Sequence, residues 1–133
     1  MNTDRFKFRA WNKLTRKYIP NIQDRDLVEG GLIDDDTFFD DYLYDSDYVI
    51  EQCTGLTDKT DRLIYEGDII ADEDLADVYE QRMGVAEVRW NNESAEFGLY
   101  LADGDYATFD NTGSSVEVIG NIHENPELLE EEK

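Results

Sequence analysis

Residues 54–70 read Thr54-Gly-Leu-Thr-Asp-Lys-Thr-Asp-Arg-Leu-Ile-Tyr-Glu-Gly-Asp-Ile-Ile70. Gly55 supplies backbone freedom, and residues 58–61 form a polar turn whose side chains can bond to their own backbone. The run Leu63-Ile-Tyr65 consists of strand-forming residues. Gly67, which is able to adopt a positive φ, interrupts this run before apolar residues resume. The stretch therefore predicts two short strands joined by tight turns.

A basic hairpin is predicted at the start of the chain. Residues 5–10 alternate the apolar residues Phe6, Phe8 and Ala10 with basic ones, which is the pattern of a half-buried strand. A polar turn and the pair Tyr18-Ile19 follow, so we expect a hairpin over residues 5–19. Its basic face could pair with acidic groups of the same molecule.

Strand patterns recur at roughly ten-residue spacing after residue 47, which favours a small barrel or roll over alternating α/β units. These runs are Tyr48–Cys53, Val85–Trp90, Phe97–Leu101, Tyr106–Phe109 and Val116–Ile119. Helical spacing predicts one helix over residues 72–83. A short helix is expected after Asn125, because Pro126 suits a first helical position. The fold class is therefore mainly β, and α+β at most.

Charge is distributed unevenly along the 133 residues, which carry a formal net charge of −21. Residues 1–25 hold seven basic and two acidic side chains, a net +5, whereas residues 26–133 hold five basic and 31 acidic ones, a net −26. A body with this much negative charge repels phosphate backbones, so we expect no direct binding to nucleic acid, with the basic N-terminal segment as the one open exception. We expect the carboxylates to be spread over the exterior.

The sequence predicts a single soluble domain in a reducing compartment. A lone cysteine, Cys53, cannot form an internal disulfide, and no apolar run is long enough to span a membrane. The first residues also lack the order of a signal peptide. We expect a cytoplasmic protein. The predicted parts are a basic hairpin (1–20), an acidic excursion (21–47), a β-barrel core (48–122), and a C-terminal helix with a tail (123–133).

Four motifs, in this order, resemble those of the YopX family of phage and prophage proteins. They are Phe6-Lys-Phe-Arg-Ala-Trp11, Thr54-Gly-Leu-Thr-Asp-Lys59, Ile64-Tyr-Glu-Gly-Asp-Ile69, and Val118-Ile-Gly-Asn-Ile122 followed by Glu124-Asn-Pro-Glu-Leu128. The resemblance implies a small β-rich fold with an SH3-like barrel or roll in its later part, and no catalytic residues. It carries over only structural positions, which are Gly55, Tyr65, Gly67, Asp68, Gly120, Asn121 and Pro126. Residues 21–47 and 72–83 match none of these motifs.

The candidate chemical groups favour a protein that is not an enzyme. His123 is the sole histidine and lies in a turn, and Cys53 has no second histidine to activate it. The Asp and Glu clusters lack the spacing of a calcium loop, and no glycine pair is followed by the lysine or helix of a phosphate loop. We therefore predict no catalytic residue, no metal site and no cofactor.

An acidic surface that carries aromatic side chains is the predicted binding site. Its residues are Asp34, Asp35, Asp36, Phe38, Asp40, Asp41, Tyr42 and Tyr44. The aromatic residues dock either on the core or on a partner. The leading hypothesis is an accessory protein that binds a basic protein partner. One alternative is a DNA mimic that inhibits a host defence nuclease, and another is a structural homo-oligomer in which the basic hairpin of one subunit meets the acidic body of the next.

Overall fold

The computed structural model describes residues 4–23, 42–72, 84–101, 104, 106–109 and 116–129. The chain divides into two compact units, Met1–Gly55 and Leu56–Lys133. Within the described residues, no helix has the length and apolar composition needed to cross a membrane. The predicted division into four parts of a single domain stays a prediction.

The first unit is built on strands β1 (Phe8–Asn12), β2 (Lys17–Ile19) and β3 (Tyr48–Thr57). The last two residues of β3 belong to the second unit. β1 lies in the middle and pairs antiparallel with both neighbours, so that Ala10 is opposite Ile19 on one side and Ile50 on the other. The expected hairpin is therefore present. The sequence did not predict that β3 would pair with the other edge of β1.

The hairpin begins later than its alternation indicates. Asp4–Phe6 forms a 3-10 helix, and Phe6 remains 46% exposed instead of facing a core. Both faces of β1 are buried, because Arg9 is buried together with its apolar neighbours Ala10 and Trp11. The prediction of a half-buried strand is therefore wrong for β1, whereas Arg9 does pair with an acidic group of the same molecule, Glu51.

The second unit contains β4 (Leu63–Tyr65), β5 (Asp68–Ala71), β6 (Val85–Asn91), β7 (Glu96–Leu101), β8 (Tyr106–Thr108) and β9 (Glu117–Asn121). Five of these form an antiparallel sheet in the order β8-β7-β6-β5-β9, while β4 pairs with β3. A 3-10 helix, Pro126–Leu129, follows β9. The five-stranded sheet curls into a half-barrel.

Apolar residues on one face of this sheet form the larger core. Val88, Leu99 and Ala107 are in register on β6, β7 and β8, and all three are buried. A register shift between Ile69 and Ile70, where β5 pairs with β9, adds local twist of the kind that curved sheets need. The full cluster is Ile64, Ile70, Ala86, Val88, Leu99, Leu101, Ala107, Val116 and Val118.

The fold-class prediction is confirmed: the protein is mainly β, with a small barrel-like sheet, an N-terminal hairpin and a short C-terminal helix of the 3-10 type. The predicted helix over residues 72–83 lies outside the described residues beyond Asp72, as does most of the acidic excursion.

Candidate functional site

The predicted acidic aromatic surface is described only at its C-terminal end. Asp34, Asp35, Asp36, Phe38, Asp40 and Asp41 lie outside the described residues. Tyr42 packs against the core of the first unit, and its ring meets that of Tyr48 edge to face at a centroid distance of 5.1 Å. Tyr44 is 87% exposed. One of the two described members is therefore part of a core, and the other is available to a partner.

Asp58 is a buried carboxylate that accepts several hydrogen bonds, although the sequence assigned it only to a polar turn. Its Oδ1 accepts hydrogen bonds from Thr60 N (2.8 Å), Thr60 Oγ1 (2.7 Å) and Arg62 N (3.0 Å). Its Oδ2 accepts one from Val118 N (3.0 Å), sixty residues away. Asp58 thus closes its own turn and fixes the start of β9.

The electrostatics of Asp58 follow from those contacts. Burial alone raises the pKa of its carboxyl group, but the hydrogen bonds from Val118, Thr60 and Arg62 outweigh this effect and lower the pKa from 3.8 to about 2. The group is therefore a carboxylate at neutral pH. All of the donors belong to the protein itself, so this charge is used in the fold.

The Tyr-Glu-Gly-Asp motif makes a second turn of the same kind. Oδ2 of Asp68, which is 1% exposed, accepts a hydrogen bond from Tyr65 N at 2.8 Å. Gly67 has φ 83°, donates its N–H to the carbonyl of Val88 and accepts a hydrogen bond from Ile122 N. The predicted role of Gly67 is confirmed, and the turn connects three segments of the second unit.

The last motif forms a third turn around two asparagines. Oδ1 of Asn121 accepts hydrogen bonds from the backbone N–H groups of His123 (3.0 Å) and Glu124 (2.9 Å). Oδ1 of Asn125 accepts one from Asn121 N at 3.2 Å. A Cβ atom on Gly120 would lie 2.6 Å from that oxygen of Asn125, which is why this position holds a glycine.

Ion pairs occupy further charged residues. Arg9 Nε donates to Glu51 Oε1 at 2.9 Å, and the hydroxyl of Tyr18 donates to the same oxygen at 3.0 Å. On β6, Arg89 Nη2 donates to Glu87 Oε1 at 2.9 Å, and this hydrogen bond raises the pKa of Arg89. The Arg9–Glu51 pair forms because these two residues lie directly opposite each other in the register of β1 and β3.

These contacts correct the expectation that the carboxylates lie on the exterior. Five acidic residues of the described ranges are buried, namely Glu51, Asp58, Asp68, Asp72 and Glu87. The sequence analysis predicted none of these carboxylates to be buried, although each lies in or next to a run of strand-forming residues. An acidic residue inside such a run is the sequence feature that could have indicated a buried carboxylate.

Cys53 and His123, the candidate nucleophile and the candidate base, each lie in a structural part of the fold. Cys53 is fully buried, and its Sγ accepts a hydrogen bond from Gly55 N at 3.4 Å. His123 lies in the Asn121 turn. No group of three or more His, Cys, Asp or Glu side chains in the described part of the chain is arranged to hold a metal ion.

Comparison with solved structures finds proteins of similar fold. The chain is similar to protein EF1440 from Enterococcus faecalis, whose crystal structure superposes with a TM-score of 0.60 at 31% identity, over 93% of this chain and 97% of that one. It also shares its fold with protein yopX from Bacillus subtilis, with a TM-score of 0.50 at 18% identity, over 98% and 100% of the two chains. No protein with a curated description matches.

The match to a family model covers nearly the whole chain. Residues 7–130 match the model described as YopX protein, and this range includes the described members of all four motifs apart from Phe6. The protein therefore belongs to the YopX family.

Proposed function

We propose that the protein is a phage or prophage accessory protein that acts by binding a basic protein partner through an acidic surface. The observation that carries the proposal is the imbalance of charge, since residues 26–133 hold 31 acidic and only five basic side chains. Complementary charge of this size accelerates encounter with a basic partner and discriminates against acidic ones.

Three motif residues use their side chains within the fold, which narrows the set of residues that can bind a partner. Asp58, Asp68 and Asn121 are buried, and their side-chain oxygens accept hydrogen bonds from the protein's own backbone. We place recognition of a partner on residues 34–44, which combine acidic with aromatic side chains. Tyr44 offers a large, exposed ring with a polar tip, a type of side chain that is enriched in protein interfaces.

The proposal includes the setting. The family resemblance points to a phage or prophage gene, and the lone cysteine suits the cytoplasm of a bacterial host. Genes that flank this one identify the setting directly: phage genes on both sides support it, and chromosomal housekeeping genes on both sides count against it.

Affinity capture with a matched charge control tests the binding itself. The tagged full-length protein should retain a basic protein from a bacterial lysate at low salt, and retention should fall as salt rises because the contact is electrostatic. A variant with Asp34→Asn, Asp35→Asn and Asp36→Asn should lose most of this retention.

The control removes the same number of charges from exposed carboxylates elsewhere, through Asp61→Asn, Glu93→Gln and Glu127→Gln. Equal loss in both variants would show that only overall charge matters and would rule out a localised surface. Capture of nothing above background at low salt would end the proposal. Competition by duplex DNA for the captured protein would instead favour the DNA-mimic form of the activity.

A further inference from the structure

Two segments meet at one end of the sheet in the first unit. The turn between β1 and β2 is joined to the segment before β3 by a hydrogen bond from Lys13 N to the carbonyl of Asp47, at 2.8 Å. The strand register places Asn12 opposite Tyr48 just inside this point. We call the exposed side chains around it the tip surface, and they are Lys13, Leu14, Arg16, Lys17, Leu43, Tyr44 and Asp45.

The tip surface exposes large apolar side chains. Leu14 is 76% exposed and Tyr44 is 87% exposed, which makes them the two most exposed large hydrophobic residues of the described ranges. Leu43, beside Tyr44, is 46% exposed. Exposed apolar side chains that lie close together are typical of protein–protein contacts, whereas isolated ones are ordinary.

Hydrogen bonds hold the backbone of both segments. Oδ1 of Asn12 accepts hydrogen bonds from Leu14 N (2.9 Å) and Thr15 N (3.2 Å), and the carbonyl of Asn12 accepts one from Arg16 N. Asp45 does the same for the other segment, where its Oδ1 accepts from Asp47 N at 2.9 Å. A backbone that is already ordered loses little conformational entropy on association.

The charges of the tip surface indicate which molecule binds there. The β1–β2 hairpin carries Lys13, Arg16 and Lys17, and the adjoining segment carries Asp45 and Asp47, so charges of both signs occur at this end of the sheet in a chain of net charge −21. Elsewhere, like charge repels a second copy of the chain. A contact made by one patch with itself needs both signs, because each basic group of one copy must face an acidic group of the other.

We propose that the tip surface is the contact of a two-fold symmetric homodimer, with the apolar side chains of Leu14 and Tyr44 at its centre. In such an arrangement both copies use the same residues, and the lysines of each copy lie against the carboxylates of its partner. This goes beyond the binding of a basic protein, and it rests on residues of the first unit that lie mostly outside the acidic surface.

Sedimentation equilibrium of the full-length protein at near-physiological salt tests the dimer. We expect a monomer–dimer equilibrium for the natural sequence. Leu14→Ser and, separately, Lys17→Glu should each raise the dimer dissociation constant at least about tenfold, which is the effect of losing a central contact. Both side chains are exposed, so urea unfolding at concentrations where the protein is monomeric should give either variant the stability of the natural sequence.

Two control variants make the same chemical changes in the second unit. Leu128→Ser removes an apolar side chain that is 37% exposed, and Arg62→Glu reverses an exposed charge. Neither should change the dissociation constant. A protein that remains monomeric up to roughly 1 mM would overturn the inference, as would a dimer that the control variants weaken as much as the tip variants. Loss of partner capture with an intact dimer, or the reverse, separates this inference from the proposed function.

Discussion

Replacing Asp58 by asparagine should destabilise the protein although the change is nearly isosteric. The new amide keeps one oxygen for the turn but turns an NH₂ group towards Val118 N, where two donors then face each other. A buried donor left without an acceptor costs about 1–3 kcal/mol, and loss of the carboxylate weakens the three remaining hydrogen bonds. We expect a total loss of about 2–3 kcal/mol of unfolding free energy at neutral pH.

The cost should depend on pH with a definite sign. Because the folded-state pKa of Asp58 is lowered from 3.8 to about 2, its charge stabilises the fold fully above the unfolded value and not at all below the folded one. This stabilisation, about 1–2 kcal/mol after screening by solvent near the turn, is lost as pH falls from about 4 to about 2. The difference between the natural protein and Asp58→Asn should shrink over this interval.

Urea unfolding followed by circular dichroism at several pH values measures both effects. Asp61→Asn is the matched control, because Asp61 belongs to the same turn, is exposed and has φ 69°, a conformation that asparagine tolerates. In Asp58→Asn, faster hydrogen exchange at Val118 N would locate the damage. Equal stability of Asp58→Asn and Asp61→Asn at neutral pH would refute the reasoning, and so would a difference that stays constant from pH 7 down to about pH 2.

Three further substitutions test the packing. Gly98→Ala should cost about 1–3 kcal/mol, because the new Cβ would lie 2.3 Å from the ring of Tyr106; adding Tyr106→Ala should remove much of this clash in a double-mutant cycle. Glu51→Gln should cost about 3 kcal/mol by leaving the charge of Arg9 buried without its counter-ion, whereas a loss below 1 kcal/mol would show that the pair is solvated. Gly67→Ala should lose about 1–2 kcal/mol because φ is 83°, and an unchanged urea midpoint would contradict this.

Polar side chains in three of the four family motifs bind the protein's own backbone at chain reversals. Asp58, Asp68 and Asn121 each direct an oxygen to backbone N–H groups, among them those of Thr60, Tyr65 and His123. Buried backbone donors must find an acceptor, so side chains at such points are constrained by the fold itself. These motif residues therefore hold turns of the fold, and the motifs identify the family.

The strands themselves were readable from sequence because their signals are local. Val85–Asn91 and Glu96–Leu101 coincide with the predicted runs to within one residue at each end, and the turn at Gly67 followed from a glycine between two apolar runs. Asp4–Phe6 is one exception, since its alternation continues that of β1 but its backbone forms a 3-10 helix. Another is β3, which continues to Thr57 although the predicted run ended at Cys53.

The amino-acid sequence by itself determined the class of fold, the family, the hairpin and the concentration of negative charge after residue 25, because these depend on neighbouring residues and on composition. Only the tertiary structure decided that β3 pairs with β1 and that Asp58 holds Val118. It also decided that Arg9 and Glu51 form a buried pair. These contacts join residues about forty to sixty positions apart, and no periodicity records which distant partner a buried charge will meet.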